Sequence, residues 1–341
     1  MVSASVAADD RGGMIGILTW ARLSFRLQRL EILLLGAAVL PASGLMLWWA
    51  SELAGIATTH PDCDYFDPAL ACQAAGQRFS ETFSTAEIII RNTWLAGFAI
   101  GLVLGVPLVA REIDHGTAQL AWTIGRSRAR WLVGRVAFAA LVAVVLAALL
   151  AVTTEVLATA MRPDIDLSQD FNFHGDRGPL IVGRAILGLG AGVLVGAVLG
   201  RQLPALLLGV FVVAGLYAAS WAGFPLWYHG EAEVRSMNEW LGGPLWIESG
   251  IELTSGERLT WAEIYGGGGA ALETYQAEDG THYASQADAD AGRNPIGRDY
   301  ILIIPGERYN EIVARETAVF AGGGSLLVGG AAAVTRRRRP S

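Results

Sequence analysis

A segment of charged, small and apolar residues lies between two long apolar stretches of this 341-residue chain. The residues that define it are Glu112, Asp114, His115, Gly116, Thr117, Leu120 and Trp122, followed by the basic residues Arg126, Arg128 and Arg130. Gly116 permits a sharp turn, and the hydroxyl of Thr117 can cap the helix that follows. That helix is too short to be stable alone in water. We therefore predict that it binds a groove on a soluble partner, while the arginines hold the segment to the membrane. The alternative is an interfacial helix in a basic loop without any partner.

The chain lacks the residue that a nucleotide-binding loop requires. All 25 basic residues are arginines, whereas a Walker A loop needs a lysine on the β- and γ-phosphates. We expect no cofactor in this chain. If the protein does ATP-driven work, another polypeptide must bind the ATP and its Mg²⁺.

No catalytic or metal-binding set is evident from the remaining reactive residues. The five histidines are scattered over separate segments, at positions 60, 115, 174, 229 and 282. Neither a His-Glu-x-x-His helix nor a nucleophile elbow occurs. The sequence therefore predicts neither an enzyme nor a metal site.

The two cysteines and one pair of charged residues are predicted to stabilise the fold. Cys63 and Cys72 fall in one polar loop, and a disulfide suits an extracytoplasmic loop better than a metal site does. Glu155 and Arg184 lie near the ends of two apolar stretches and could pair at similar depth in the membrane. A polar patch that lines a substrate exit is the alternative interpretation of that pair.

Composition and apolar runs indicate a polytopic membrane protein. Only 17% of the residues are charged, against about 25% in soluble domains. A membrane crossing needs about 20 apolar residues. Six stretches qualify: Leu30–Ala50, Ile88–Ala110, Leu132–Val156, Leu180–Gly200, Leu203–Ala222 and Thr317–Thr335.

The placement of the arginines orients these spans. Most arginines near span ends fall on the side that holds both termini, and basic residues favour the cytoplasmic side. We therefore expect a multi-pass protein of a bacterial plasma membrane with both termini in the cytoplasm. The net charge of −7 belongs mainly to the outer segments and says nothing about a basic or acidic ligand. We expect no nucleic-acid partner.

The predicted organisation has four parts. Residues 1–29 form a cytoplasmic N-terminus with an amphipathic helix at the interface, and residues 30–222 form spans one to five with a coupling loop at 111–131. Residues 223–316 form a small extracytoplasmic α/β insertion, and residues 317–341 form the last span and a basic tail. Within the insertion, Leu245–Leu253 and Arg258–Ile264 are predicted to form a hairpin, and 299–304 a further strand. Residues 276–294 are predicted to be loop.

Glycines recur every four residues on two spans. They are Gly97, Gly101 and Gly105 on the second span and Gly188, Gly192, Gly196 and Gly200 on the fourth. Such stripes let helix backbones approach closely in lipid. The contact lies either within one subunit or across a dimer axis.

The central loop resembles the coupling segment of ABC transporter permeases of the ABC-2 type. A group of actinobacterial permeases has a similar Arg-Glu-x-x-His-Gly-Thr-x-x-Leu-Ala-Trp-Thr stretch followed by a basic run and a tryptophan. The matching positions are Arg111, Glu112, His115, Gly116, Thr117, Leu120, Ala121, Trp122 and Thr123, then Arg126 to Trp131. Leu18-Thr19-Trp20 resembles the N-terminal entry of that group, and Pro305, Arg308, Tyr309 and Glu316 resemble the approach to its last span.

This resemblance implies an all-α permease of six transmembrane helices with the outer insertion between spans five and six. It also implies a separate ABC ATPase subunit, a second permease copy in a homodimer or a heterodimer, and export of an amphiphilic drug, peptide or lipid. The central loop, including Glu112 and Thr117, would contact the ATPase. The alternative function is a non-transporting membrane sensor or immunity component whose outer domain binds a ligand.

Overall fold

The computed structural model describes residues 10–65, 72–116, 128–236, 243–266 and 274–337. Within these ranges the chain is mainly helical, with one antiparallel sheet in its C-terminal half. The long helices are α1 (Asp10–Thr59), α2 (Gln73–Arg91), α3 (Thr93–Asp114), α4 (Arg128–Met161), α5 (Leu180–Leu199), α6 (Gln202–Tyr228) and α9 (Tyr309–Arg337).

Among the described residues, six helical segments are long and apolar enough to cross a membrane, the same number as the sequence predicts. Many large apolar side chains on these helices are exposed, including Leu33 on α1, Leu141 on α4 and Phe211 on α6. In water such surfaces would favour aggregation, whereas lipid is a suitable environment for them.

The first two spans contain irregularities that the apolar pattern does not reveal. The backbone of α1 leaves helical geometry at Gln28, where φ is −112° and ψ is 15°. The residues before this kink are helical, as predicted, and their interfacial position remains a prediction. The second span is interrupted at Asn92, which separates α2 from α3.

The glycine stripes of α3 and α5 face each other within one subunit. A Cβ added at Gly101 would lie 2.1 Å from the carbonyl oxygen of Ala185, and one at Gly188 would lie 2.5 Å from that of Phe98. These separations are far below van der Waals contact, so only glycine allows the two backbones to pack this closely. The intrasubunit interpretation of the stripes is therefore confirmed for this helix pair. Gly200 instead ends α5 in the left-handed conformation, with φ of 64°.

The chain divides into two compact units. The first unit contains residues 1–163, 173–214 and 313–341, and the second contains residues 164–172 and 215–312. The strands of the second unit are β1 (Glu233–Arg235), β2 (Leu245–Leu253), β3 (Arg258–Thr260), β4 (Tyr275–Gln276), β5 (Thr281–Tyr283) and β6 (Pro295–Ile304). Two short helices accompany them, α7 (Trp261–Gly266) and α8 (Gln286–Asp290).

Strand β6 is the centre of the sheet. It pairs with β2 along one edge, and with β5 and β1 along the other, all antiparallel. Its residues Tyr300–Ile304 are buried, because they lie between other strands and supply the core of this unit.

The hairpin prediction is confirmed for β2, β3 and the intervening turn, in which Gly256 has φ of 85°. It is wrong beyond Thr260, because Trp261 begins α7 rather than continuing the strand. The predicted loop at 276–294 is also wrong in part, since it contains β5 and α8. Strand β5 has only three residues, too few to predict a strand from local sequence. Its pairing with β6 stabilises the extended conformation.

Candidate functional site

The predicted coupling segment is described up to Gly116. There α3 ends in a turn in which the amides of His115 and Gly116 donate to the carbonyls of Arg111 and Ile113. Gly116 has φ of 70°, a conformation that favours glycine. The sharp turn predicted at this residue is confirmed. Thr117, Leu120, Trp122 and Arg126 lie outside the described residues, and Arg128 and Arg130 are described only as backbone in the first turn of α4.

Glu112 and Arg135 join the two helices that flank the segment. The guanidinium of Arg135 on α4 lies 2.7 Å from the carboxylate of Glu112 on α3, and the two side chains are only 7% and 13% exposed. The same guanidinium lies 5.7 Å from the ring centroid of Trp131, within reach of a cation–π interaction. The pair joins the two ends of the segment within the subunit. The predicted contact of Glu112 with the partner stays a prediction.

A second set of contacts joins the kink of α1 to α3. Arg111 lies 3.4 Å from the carboxylate of Glu31 and donates to the carbonyl of Leu27. The buried amide of Gln28 donates to the carbonyl of Leu104. These contacts were not predicted, although an acidic residue and a glutamine at the start of an apolar helix are a usable signal. We call the residues Glu31, Arg111, Glu112 and Arg135 the loop frame.

A layer of charged residues lies at the opposite end of α3. The prediction paired Glu155 with Arg184, but the ion pair that the structure shows for Glu155 is with Arg177, whose side chain is fully buried. Arg184 donates to the carbonyl of Gly175, and its guanidinium lies 5.9 Å from the ring centroids of both Phe98 and Phe320. Arg177 lies in a loop outside the apolar stretches, so span-based reasoning did not consider it.

Asp176 belongs to the same layer. Burial raises the pKa of its carboxyl to about 6, and the charges of Arg184, Arg91 and His174 partly oppose that rise. The hydroxyl of Thr93, in the first turn of α3, donates to the backbone carbonyl of Asp176. His174 lies 3.2 Å from the carboxylate of Glu316 on α9. This layer therefore ties α3, α5 and α9 together.

An open apolar groove with a volume of about 310 Å³ lies on the first unit. It is lined by residues of α1, α2, α3 and α4, among them Val39, Met46, Ile88 and Leu150. Asn92 and Thr93, at the break between α2 and α3, add polar groups to its wall. An apolar wall with a few polar groups is typical of a site for a small ligand.

Cys63 and Cys72 form a disulfide, as the sequence predicts, with their Cα atoms 5.6 Å apart. The bond ties the chain that follows α1 to the start of α2. No group of histidine, cysteine or acidic residues within the described part of the chain could hold a metal ion.

The six apolar helices in the described part of the chain indicate a multi-pass membrane protein. The chain belongs to the ABC-2 membrane transporter related family, whose model matches residues 31–222. The match begins at Glu31 of the loop frame and ends within α6, so it includes the coupling segment and excludes the sheet. No curated protein and no solved structure matches the chain. The family resemblance inferred from the central loop is confirmed.

Proposed function

We propose that this chain is the membrane subunit of an ATP-driven exporter, moved by a separate nucleotide-binding subunit. The observation that carries the proposal is the loop frame, in a chain that belongs to an ABC-2 family. The frame fixes both ends of residues 117–127 through ion pairs among α1, α3 and α4. A partner that pushes this segment would therefore move three spans together.

The buried pair is well suited to transmit force. Because Glu112 and Arg135 are almost fully buried, separating them would leave uncompensated charges, at a cost of about 3–5 kcal/mol. A push on the segment would therefore tend to tilt the helices rather than break the pair. The close backbone contact between α3 and α5 would carry the motion to a further span.

In this proposal both termini and residues 111–131 face the cytoplasm of a bacterial cell. The arginine distribution supports that orientation, and the second unit then lies outside. The exporter would contain a second permease, identical or related, and two ATPase subunits that bind ATP and Mg²⁺. Membrane lipids surround the exposed apolar faces.

The open apolar groove supports an amphiphilic substrate, because its wall would suit an alkyl or aromatic portion while Asn92 and Thr93 offer polar contacts. A lipid, a drug or a hydrophobic peptide has such an apolar portion and a polar group. The charged layer beyond Thr93 would then receive the polar end of the substrate as it leaves.

ATP hydrolysis by the reconstituted complex tests this function. We expect the purified chain alone to hydrolyse no ATP. Together with an ATPase encoded beside it, the chain should form a stable complex in which amphiphilic compounds raise the hydrolysis rate several-fold. An ATPase whose Walker A lysine is replaced is the control. A chain that forms no complex with any neighbouring ATPase would contradict the proposal and favour a non-transporting sensor.

A further inference from the structure

Three side chains in the second unit form a continuous hydrogen-bonded chain. The hydroxyl oxygen of Thr274 lies 2.8 Å from Nδ1 of His282. On the other side of the ring, Nε2 of His282 lies 2.8 Å from Oδ1 of Asp299. A hydroxyl, an imidazole and a carboxylate in this order can activate the hydroxyl as a nucleophile. The sequence shows no such set, because the three residues are brought together only by strand pairing.

The sheet fixes the positions of the three residues. His282 lies on β5 opposite Gly297 of β6, and Asp299 is two residues further along β6, on the same face. On its other side His282 faces Gln276 of β4, and Thr274 directly precedes that strand. Backbone pairing between the strands therefore fixes where the three side chains begin.

Hydrogen bonding determines which nitrogen of the imidazole carries the proton. The carboxylate of Asp299 can only accept, so the neutral ring donates from Nε2. In this tautomer Nδ1 carries a lone pair, so it can accept a hydrogen bond from the hydroxyl of Thr274. This is the protonation state that a general base requires.

The burial of the three residues increases in the same order. Thr274 is half-buried, while the side chains of His282 and Asp299 are 4% and 2% exposed. The second carboxylate oxygen of Asp299 accepts from the amide of Gln276, which holds the carboxylate in place. Thr274 is thus the most exposed of the three, while His282 and Asp299 are buried.

We infer that Thr274, His282 and Asp299 form a hydrolytic triad that cleaves carboxylic esters. The oxygen of Thr274 attacks the acyl carbon as its proton passes to Nδ1 of His282. The carbon–oxygen bond to the leaving alcohol breaks, and His282 returns the proton to that alcohol. Water then attacks the acyl carbon and gives a proton to His282. The bond between that carbon and the oxygen of Thr274 breaks, the acid is released, and His282 returns the proton to Thr274. Asp299 and Gln276 are positioning residues.

A fluorophosphonate probe on the purified full-length chain tests the triad. The oxygen of Thr274 should form a bond to phosphorus, the phosphorus–fluorine bond should break, and fluoride should leave. Peptide mapping should find the adduct on Thr274, and Thr274→Ala should abolish it. The chain should also hydrolyse p-nitrophenyl acetate, without any ATPase present.

Asp299→Asn separates activation from structural support. The oxygen of the new side-chain amide can still accept from Gln276. Its NH2 group then faces His282 and donates to Nε2. The ring proton then moves to Nδ1, which can no longer accept from Thr274. We expect labelling and hydrolysis to fall by about 100-fold or more, while the thermal unfolding temperature changes little. Asp279→Asn, at an exposed carboxylate in the same part of the sheet, should label like the unmodified chain.

Two results would overturn the triad. One is an unmodified chain in which Thr274 takes up no probe. The other is equal labelling of the unmodified chain and Asp299→Asn, which would assign the three residues a structural role alone. Neither result bears on the ATP-driven function, because the probe requires no partner subunit.

Discussion

Glu112 illustrates how the environment of a single residue changes its interpretation. The resemblance to ABC-2 permeases implies that it contacts the ATPase, and that contact stays a prediction. The structure pairs it with Arg135, 23 positions further along the chain. Pairing at that distance depends on how α3 and α4 pack, which local residue types do not determine. The turn at Gly116, by contrast, depends on one residue and was predictable.

Removing one charge of the loop frame should weaken the coupling between this chain and the ATPase subunit. We expect Glu112→Gln to destabilise the chain by about 3–5 kcal/mol and to lower substrate-stimulated ATP hydrolysis by the complex. The charge-swapped double variant Glu112→Arg with Arg135→Glu should recover part of both properties, because it restores a pair. Thermal unfolding and ATPase rates measure the two effects.

Glu87→Gln is the matched control for that variant, since its pair with Arg91 is far more exposed. Exposed pairs contribute about 1 kcal/mol or less, so this change should be nearly silent. A Glu87→Gln effect as large as that of Glu112→Gln would mean that burial of the frame is irrelevant.

Asp176 should make the stability of the protein depend on pH. Its pKa is raised to about 6 in the folded protein, so the folded state favours the protonated carboxyl. The stabilisation from protonation is complete below the unfolded pKa and is lost as the pH rises through about 6. At 1.4 kcal/mol per pKa unit the effect is at most about 3 kcal/mol.

Asp176→Asn should remove this dependence. We expect the variant to unfold at a higher temperature than the unmodified chain at pH 8, with the difference disappearing near pH 4. Differential scanning fluorimetry across that range measures it. A variant that is less stable than the unmodified chain at pH 8 would show that the ionised carboxylate is favoured instead.

At the scale of elements, hydropathy predicted the six spans because lipid imposes one length and one polarity on each crossing. The break at Asn92 was not predicted, because the polar stretch from Arg91 to Thr93 is only three residues long and lies within a longer apolar run. Strand β5 was missed because its three residues carry no alternating pattern. Its extended conformation is stabilised by pairing with β6, which lies more than ten residues away in the sequence.

The backbone contact between α3 and α5 should tolerate no side chain at Gly101. We expect Gly101→Ala to lower the thermal unfolding temperature clearly, because its Cβ would meet the backbone of Ala185 and Leu189. Gly44→Ala is the control, since a Cβ at that position on α1 meets no atom within 4 Å. Equal unfolding temperatures for the two variants would refute the close packing of these helices.

At the scale of the whole molecule, the sequence alone indicated a membrane protein moved by an external ATPase, and the family match supports the transporter class. What the sequence could not supply was the set of contacts that would let the membrane domain receive force. Those contacts join residues from α1, α3 and α4, and their geometry exists only once the helices are packed. The strands of the second unit lie outside the matched region, so the family carries no information about the triad.

The most direct test of the account is a photo-cross-link from residues 117–127 to the ATPase in membranes. A photoreactive amino acid would replace Trp122, and the matched control would carry it at Asp290 of α8 in the second unit. We predict that position 122 cross-links to the ATPase subunit, more strongly when ATP is present, and that position 290 does not. An ATPase that cross-links at position 290 but never at position 122 would contradict the claim that this segment receives the force of ATP hydrolysis.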